Sequence, residues 1–192
     1  MVQPQLAYLD VIRDVLPDDG FLVEEICQAG FTARFGYPVY EPYTYVTGGY
    51  QENLGFGFGT ALGVKVAHPD RPVVSINGDG GFLYGAQELA TAKQYGIDVV
   101  AVVFDNGAFG NVKRDQLTKY QGRLLGSELT NPDFVALGEA YGVSSVGVST
   151  PAQFRDALVA ALGDGGPALI RVEVEEGAES SPWPFTRPGV KR

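Results

Sequence analysis

Short apolar runs alternate along this chain with longer segments in which apolar residues recur at helical spacing. Clear examples of the runs are Val73–Ile76, Val99–Phe104 and Ala168–Val174, and a segment of helical character precedes each of them. Strands that are apolar on both faces are typical of parallel sheets that helices cover on both sides. The alternation therefore predicts an α/β fold, a three-layer α/β/α sandwich around a mainly parallel sheet.

The remaining elements follow from the same patterns. Further strands are predicted at Phe21–Ile26, Tyr43–Val46 and Ser145–Val148, and helices at Gln5–Leu16, Leu54–Val66, Gly85–Tyr95, Asp133–Tyr141 (capped by Asn131-Pro132) and Pro151–Leu162. Leu54–Val66 contains four glycines, and because each costs a helix up to about 1 kcal/mol relative to alanine, close packing must hold it. Gly107–Leu125 is expected to be irregular. We assign residues 1–175 to one domain and residues 176–192 to a C-terminal tail.

The composition argues against several classes of protein. A net charge of −9 over 192 residues leaves no basic face for nucleic acid. No apolar run approaches the ~18 residues of a membrane span, and no leader of the secretory type opens the chain. Cys27 is the only cysteine, which rules out an internal disulfide and fits a reducing cytoplasm. We expect a cytoplasmic protein without nucleic-acid or membrane partners.

Oxygen-bearing side chains follow two of the apolar runs. Asp79 lies three residues beyond Val73–Ile76, and Asn106 lies two residues beyond Val99–Phe104. Because the carboxyl ends of parallel strands share one edge of a sheet, both oxygens can converge there. A hard cation such as Mg²⁺ prefers few carboxylates, together with neutral oxygens and phosphate oxygens.

Glycines surround the first of these side chains. Gly78, Gly80 and Gly81 remove side chains where a backbone must approach an anion closely. The helix predicted after them would direct its N-terminal N–H groups at that anion. The residues alone therefore predict a site for a metal and a diphosphate.

The spacing of these residues resembles a known motif. Gly78-Asp79-Gly80, followed after twenty-five residues by Asn106, is similar to the thiamine diphosphate motif of Gly-Asp-Gly, a spacer and Asn. The surrounding stretch, residues 71–114, resembles the diphosphate-binding domain of the acetolactate synthase and 2-oxoacid decarboxylase family. The likeness runs from about Gly20 to the Ser-Pro-Trp-Pro-Phe of the tail, and it implies bound thiamine diphosphate and Mg²⁺.

The resemblance also implies roles for individual residues. The metal ligands would be the side chains of Asp79 and Asn106 and the backbone carbonyl of Ala108, two residues further on. The residues implied in cofactor binding are Gln28, Gly78, Asp79, Gly80, Gly81, Phe82, Asn106, Ala108 and Phe109, with Gly80, Gly81 and Phe82 acting through their backbone amides. The alternatives are a helix-capping Asp79, Asn106 in a turn, a solvated Gln28 and a Phe109 that only packs. Asp105 replaces an Asn common in the family, so whether Asp105 or Asn106 reaches the metal stays open.

Two residues are implied in catalysis. Leu54 matches the bulky side chain that, in the family, wedges under the cofactor and bends it into a V shape, which is a proximity effect. An ordinary core leucine is the alternative. Glu52 stands where the family usually has a Gly whose carbonyl accepts a hydrogen bond from the cofactor's 4′-amino group. Any residue has a carbonyl, but the glutamate side chain departs from the pattern.

The family's pyrimidine-binding domain, which supplies a catalytic glutamate, has no counterpart in the sequence. We therefore expect half of an active site that needs this domain or subunit as a partner, with a 2-oxoacid as substrate and acetolactate synthase-like chemistry. Self-association is also expected, because the cofactor face is apolar. The alternatives are a subunit of a split decarboxylase, of sulfopyruvate or benzoylformate type, and a binding module without chemistry. A Rossmann domain is disfavoured, since the first βα turn lacks Gly-x-Gly-x-x-Gly.

Overall fold

One parallel sheet organises the chain. The computed structural model describes residues 2–186, and its strands in that range run in the order β2-β1-β3-β4-β6-β5, all parallel. The strands are β1 (Phe21–Glu24), β2 (Tyr45–Val46), β3 (Val73–Gly78), β4 (Val100–Asp105), β5 (Ser144–Val148) and β6 (Ala168–Glu173). The central strands β3 and β4 are largely apolar and almost fully buried, as expected for a sheet between two helical layers. In β3 the buried polar exceptions are Ser75 and Asn77.

Helices cover both faces of the sheet, which confirms the predicted three-layer fold. The helices in the described range are α1 (Gln5–Val15), α2 (Gln28–Gly36), α3 (Phe56–Ala67), α4 (Asp79–Phe82), α5 (Leu89–Tyr95), α6 (Gly110–Lys119), α7 (Phe134–Ala140), α8 (Pro151–Asp164) and α9 (Trp183–Thr186). The core on one face includes α1, α2 and α8, and the core on the other includes α3, α5 and α7. Adjacent strand residues such as Leu22 and Val23 belong to opposite cores because strand side chains alternate. None of the helices within residues 2–186 has the length and apolar character that crossing a bilayer requires.

Two helices depart from the sequence-based expectations. Helix α2 is missing from the predicted elements because its sequence, QAGFTARFG, contains two glycines and a threonine and resembles a loop. Gly30 is needed there because a β-carbon at that position would lie 2.0 Å from the carbonyl oxygen of Glu25. Helix α6 occupies part of the stretch expected to be irregular. It buries none of its residues, so the apolar periodicity that would have revealed it is absent.

The segment beyond residue 175 lies against the rest of the chain. Gln5 donates from Nε2 to the carbonyl oxygen of Ser180 at 2.7 Å, and the Trp183 ring packs on Phe31 with centroids 5.0 Å apart. The division into a domain of residues 1–175 and a tail of residues 176–192 stays a prediction, and residues 187–192 lie outside the described range.

Candidate cofactor site

A cavity of about 520 Å³ lies at the carboxyl edge of the sheet. Residues that follow three neighbouring strands line it, including Gln28 after β1, Asp79 after β3 and Asn106 after β4. Helix α2 packs on one face of the sheet and helix α3 on the other. The chain adds β2 on one side of β1 and β3 on the other side, so the strand order reverses between β1 and β3. Open α/β sheets bind ligands at such a switch point. The topology thus brings together side chains that lie far apart in the sequence.

Asp79 is held in a fixed orientation at the floor of this cavity. The residue is 3% exposed, and its Oδ1 accepts from the Gly80 N–H at 2.8 Å. Its Oδ2 accepts from the Gly107 N–H at 2.8 Å and from Nδ2 of Asn131 at 2.7 Å. Burial raises the pKa of Asp79, and the hydrogen bonds from Asn131 and the two backbone amides oppose that rise. Asn131 also donates to Oδ1 of Asp105 at 2.7 Å, so one amide group links both carboxylates.

The structure separates the roles of Asp105 and Asn106. Asp105 accepts from Nε of Arg171 at 2.7 Å, and the cavity walls built by residues 2–186 do not include it. Asn106 lines the cavity; its Oδ1 accepts from the Ala108 N–H at 3.0 Å and its Nδ2 donates to Glu179 at 2.5 Å. Ala108 lines the cavity as well. This arrangement favours Asn106 over Asp105 as an oxygen ligand for a cation, and the choice between them stays a prediction.

The glycines beside Asp79 are required by close packing. A β-carbon on residue 80 would lie 2.3 Å from Cε1 of Phe109, and one on residue 81 would lie 1.5 Å from Oε1 of Glu25. Gly78, Gly80, Gly81 and Phe109 all line the cavity. The side chain of Phe82 turns away into the core, where its ring lies 5.3 Å from that of Phe58. Among the described residues Phe82 is not part of the cavity lining, so its contact with the cofactor through the backbone amide stays a prediction.

Leu54, Gln28 and Glu52 are further predicted residues on the cavity wall. Leu54 lines the cavity and is half-buried, so it is not an ordinary core leucine. Gln28 begins helix α2 and is only 7% exposed, and its Oε1 has no hydrogen-bond partner among the described residues. A solvated loop amide is therefore the wrong description of Gln28. Glu52 lines the cavity through a nearly buried side chain.

Sequence reasoning missed three functional candidates. Asn131 lies in an Asn-Pro pair that indicates a helix cap, yet the cap of α7 is Asp133, which accepts from two backbone amides. Glu25 and Glu179 belong to no recognisable motif. A glutamate at a strand end or in a tail is usually solvated, so neither residue stands out in the sequence. Burial raises the pKa of both carboxyl groups, and that of Glu52, to about 7. Within residues 2–186 no three His, Cys, Asp or Glu side chains are placed to hold a metal, so a cation here depends on Asp79 and neutral oxygens.

Comparison with known proteins identifies the family. Residues 26–172 match the family described as thiamine pyrophosphate enzyme, C-terminal TPP binding domain, where TPP is thiamine diphosphate. The chain belongs to the thiamine pyrophosphate enzymes. This result confirms the family inferred from the Gly-Asp-Gly and Asn spacing.

Relatives of this thiamine pyrophosphate enzyme domain are considerably longer than the chain. The acetolactate synthase large subunit of Haemophilus influenzae is 36% identical over 159 residues, covering 82% of this chain and 28% of the relative. Acetolactate synthase isozyme 2 large subunit of Escherichia coli is 32% identical over 183 residues, covering 95% and 33%. The thiamine diphosphate-dependent 4-hydroxybenzoylformate decarboxylase of Rhodococcus jostii RHA1 superposes with a TM-score of 0.82 at 30% identity, covering 93% of this chain and 34% of that one. The chain thus spans about a quarter to a third of the length of such relatives.

The residues present fit the cofactor of a thiamine pyrophosphate enzyme. The cavity offers a carboxylate and an amide oxygen for a hard cation, in Asp79 and Asn106. The glycine turn at residues 78–81 brings the backbone to the cavity surface. Gln28 and Glu52 line the same cavity, and each has a buried side-chain oxygen without a hydrogen-bond partner in the described chain. Such atoms are costly to bury unless a ligand completes their hydrogen bonds.

Proposed function

We propose that this chain is the diphosphate- and Mg²⁺-binding domain of a thiamine diphosphate-dependent 2-oxoacid decarboxylase or carboligase of acetolactate synthase type. The observation that carries the proposal is the convergence of Asp79, Asn106 and the glycine turn on one cavity. When bound, the cofactor would supply the electron sink for decarboxylation of a 2-oxoacid. The protein would supply binding, orientation and exclusion of water.

The residues divide this work between two parts of the cavity. Asp79, Oδ1 of Asn106 and the Ala108 carbonyl would hold Mg²⁺, and the backbone amides of residues 80–82 and Gln28 would hold the diphosphate. Leu54 would support the bent form of the cofactor, and the Glu52 carbonyl would accept from its 4′-amino group. The backbone after Leu54 is constrained to one conformation, which would fix the position of its side chain. Gly55 has φ 86°, and a β-carbon there would lie 2.8 Å from Cβ of Tyr84.

The chain requires a partner to complete its site. Tyr84 and Val112 both line the cavity, yet they are 63% and 49% exposed, and Tyr50, two residues before Glu52, is fully exposed. Large apolar side chains around an open cavity are typical of an interaction surface. A pyrimidine-binding domain or subunit would cover them, and self-association of the chain would use the same face. The reducing cytoplasm suits a domain whose one cysteine, Cys27, is a free thiol beside the cavity.

A second candidate reaction is simple decarboxylation of an aryl 2-oxoacid without carboligation. Its support is the structural similarity to the Rhodococcus jostii decarboxylase, which extends over 93% of this chain. The two reactions differ only in the fate of the decarboxylated fragment, which goes to a second carbonyl or to a proton. The residues that would choose between them lie partly on the partner.

Complementation tests the proposal. The chain is combined with the part of the Haemophilus influenzae acetolactate synthase large subunit that it does not match, and release of carbon dioxide from pyruvate and from benzoylformate is measured. We expect release by the complex and none by the complex carrying Asp79→Ala. Acetolactate as product supports carboligation, and an aldehyde supports simple decarboxylation.

Two results would contradict the proposal. Sustained carbon dioxide release by the chain alone would show that no partner is needed. A complex that binds thiamine diphosphate and Mg²⁺ but releases no carbon dioxide from either acid would favour a binding module without chemistry.

A further inference from the structure

The carboxyl group of Glu52 is held at one oxygen and unpartnered at the other. Its side chain is 2% exposed, and Oε2 accepts a hydrogen bond from Nη2 of Arg34. Oε1 is buried and has no hydrogen-bond partner within residues 2–186. Glu52 is one of the residues that line the cofactor cavity, so a ligand bound there is the candidate partner for this oxygen.

The surroundings of Glu52 lack the positive charge that would neutralise it. Arg34 is shared with Glu24, which is fully buried and accepts from Nε of Arg34 at 2.8 Å and from Oγ1 of Thr47 at 2.5 Å. Two carboxylates therefore share one guanidinium. The other titratable groups near the cluster are Glu25, the Tyr45 hydroxyl and the Cys27 thiol, and none of them is cationic. A buried carboxylate in such a cluster favours a ligand that donates hydrogen bonds.

The two ends of thiamine diphosphate need different groups on the cavity wall. This molecule carries its diphosphate at one end and an aminopyrimidine ring at the other. If Asp79, Asn106 and the glycine turn hold the diphosphate, the ring is left to the wall formed by residues 52–54. An exocyclic amino group has two N–H donors, and an unpartnered carboxylate oxygen is a strong acceptor for one of them.

We propose that the Glu52 side chain, anchored by Arg34, accepts a hydrogen bond through Oε1 from the exocyclic amino group of the cofactor's pyrimidine ring and selects for that group. This inference rests on the proposed function. It gives the side chain a role in addition to that of the Glu52 carbonyl, at a position where the resemblance implies a glycine. Arg34 acts as a positioning residue, because it fixes Oε2 and leaves Oε1 to the ligand.

Protonation provides an independent signature. Burial raises the pKa of the Glu52 carboxyl to about 7, so near pH 7 the group is about half protonated before the ligand binds. A hydrogen bond donated by the amino group favours the carboxylate. Binding should therefore release up to about half a proton from Glu52, and the released proton goes to the buffer.

The experiment compares two ligands on the complex with the pyrimidine-binding partner described above. Thiamine diphosphate and its analogue with oxygen in place of the exocyclic amino group are titrated calorimetrically with Mg²⁺ into wild type, Glu52→Gln, Glu52→Gly and the exposed control Glu139→Gln. Wild type and the control should prefer the amino ligand. In both Glu52 variants this preference should fall by about tenfold, the effect of a hydrogen bond to a charged group. Titration in two buffers of different ionisation enthalpy should show less proton release by the variants.

The possible outcomes separate the two proposals. A Glu52 that only braces its loop would weaken both ligands equally, so an unchanged preference in both variants overturns the assignment of Oε1. Failure of wild type to bind either ligand in the complex overturns the proposed function itself. Glu52→Gly serves as a second variant, in case an uncharged Gln beside Arg34 disturbs folding.

Discussion

Oε1 of Glu25 occupies the place where a β-carbon of residue 81 would be: the two would lie 1.5 Å apart. The other carboxyl oxygen of Glu25 accepts from the Gly57 N–H at 3.0 Å, near the start of α3. One buried carboxyl group thus joins the glycine turn beside Asp79 to the helix that follows Leu54. Glu25 therefore fixes the position of the glycine turn relative to the start of α3.

Alanine substitutions in α3 should have opposite effects at two glycines. A β-carbon on residue 57 would lie 2.4 Å from Oδ1 of Asn77 and 2.9 Å from Cβ of Glu25. Gly57→Ala should therefore lower the free energy of unfolding by about 1–3 kcal/mol, the usual cost of overpacking. Gly63 is exposed, and a β-carbon there would have no neighbouring atom within 4 Å. Gly63→Ala should therefore raise the free energy of unfolding by about 0.5–1 kcal/mol. Urea unfolding measures both, and equal effects would show that close packing does not explain Gly57.

Stability should fall as the pH rises towards neutrality because of Glu25. Burial raises the pKa of this carboxyl from 4.5 to about 7 in the folded chain, so the folded state binds the proton more tightly than the unfolded state. The contribution is complete below about pH 4.5 and is lost as the pH rises through about 7, with an upper limit of about 3 kcal/mol. Glu52 acts in the same direction. Glu25→Gln should flatten, without abolishing, the loss of stability between about pH 5 and about pH 8; an unaltered slope would mean that Glu25 stays ionised.

Asp79 should be indispensable for binding thiamine diphosphate with Mg²⁺. It is the carboxylate among the proposed metal ligands, so Asp79→Ala should weaken binding by more than about 100-fold, beyond the usual effect of outer-shell changes. Calorimetric titration with both components measures this. Asp70→Ala, which removes an exposed carboxylate away from the cavity, should bind as wild type does. Similar losses in the two variants would indicate a general electrostatic effect.

Asn131 should control metal affinity without touching the metal. Its Nδ2 donates to Asp79 and Asp105, both at 2.7 Å. Asn131→Ala removes one hydrogen bond from each carboxylate and leaves two like charges without their shared donor. The Mg²⁺ affinity, measured by titration at saturating thiamine diphosphate, should fall by roughly 10–100-fold. Thr130→Ala, at an exposed neighbouring position, serves as the control, and an affinity equal to that of the control would remove Asn131 from the site.

The C-terminal segment should contribute to stability. Trp183 packs on Phe31 and Phe35, with ring centroids 5.0 and 6.0 Å apart. Trp183→Ala should lower the free energy of unfolding by about 1–3 kcal/mol, somewhat less than for a fully buried aromatic residue. Tyr50→Ala removes a fully exposed ring and should change stability by no more than about 0.5 kcal/mol. If Trp183→Ala is equally neutral, the segment after residue 175 behaves as a tail.

Local patterns were sufficient for the sheet and for much of the candidate site. Val73–Ile76 lies within β3, and Val99–Phe104 covers all of β4 except Asp105, because a largely apolar strand has one stable location, inside a covered sheet. Asp79 and Asn106 reach one cavity because parallel strands end at the same edge. Helices α2 and α6 escaped detection, since glycines weaken the signal of the first and the second buries no residues.

The sequence by itself determined the strands and most of the helices, the edge of the sheet that carries the cavity, and the placement of Asp79, Asn106 and Leu54 around that cavity. Only the tertiary structure decided which acids are buried beside the cavity and what holds them. Glu25, Glu52 and Glu179 are each brought into the site by contacts with residues distant in the sequence, Gly57, Arg34 and Asn106. A glutamate's pKa and role depend on the groups that surround it. Those surroundings exist only after the chain has folded.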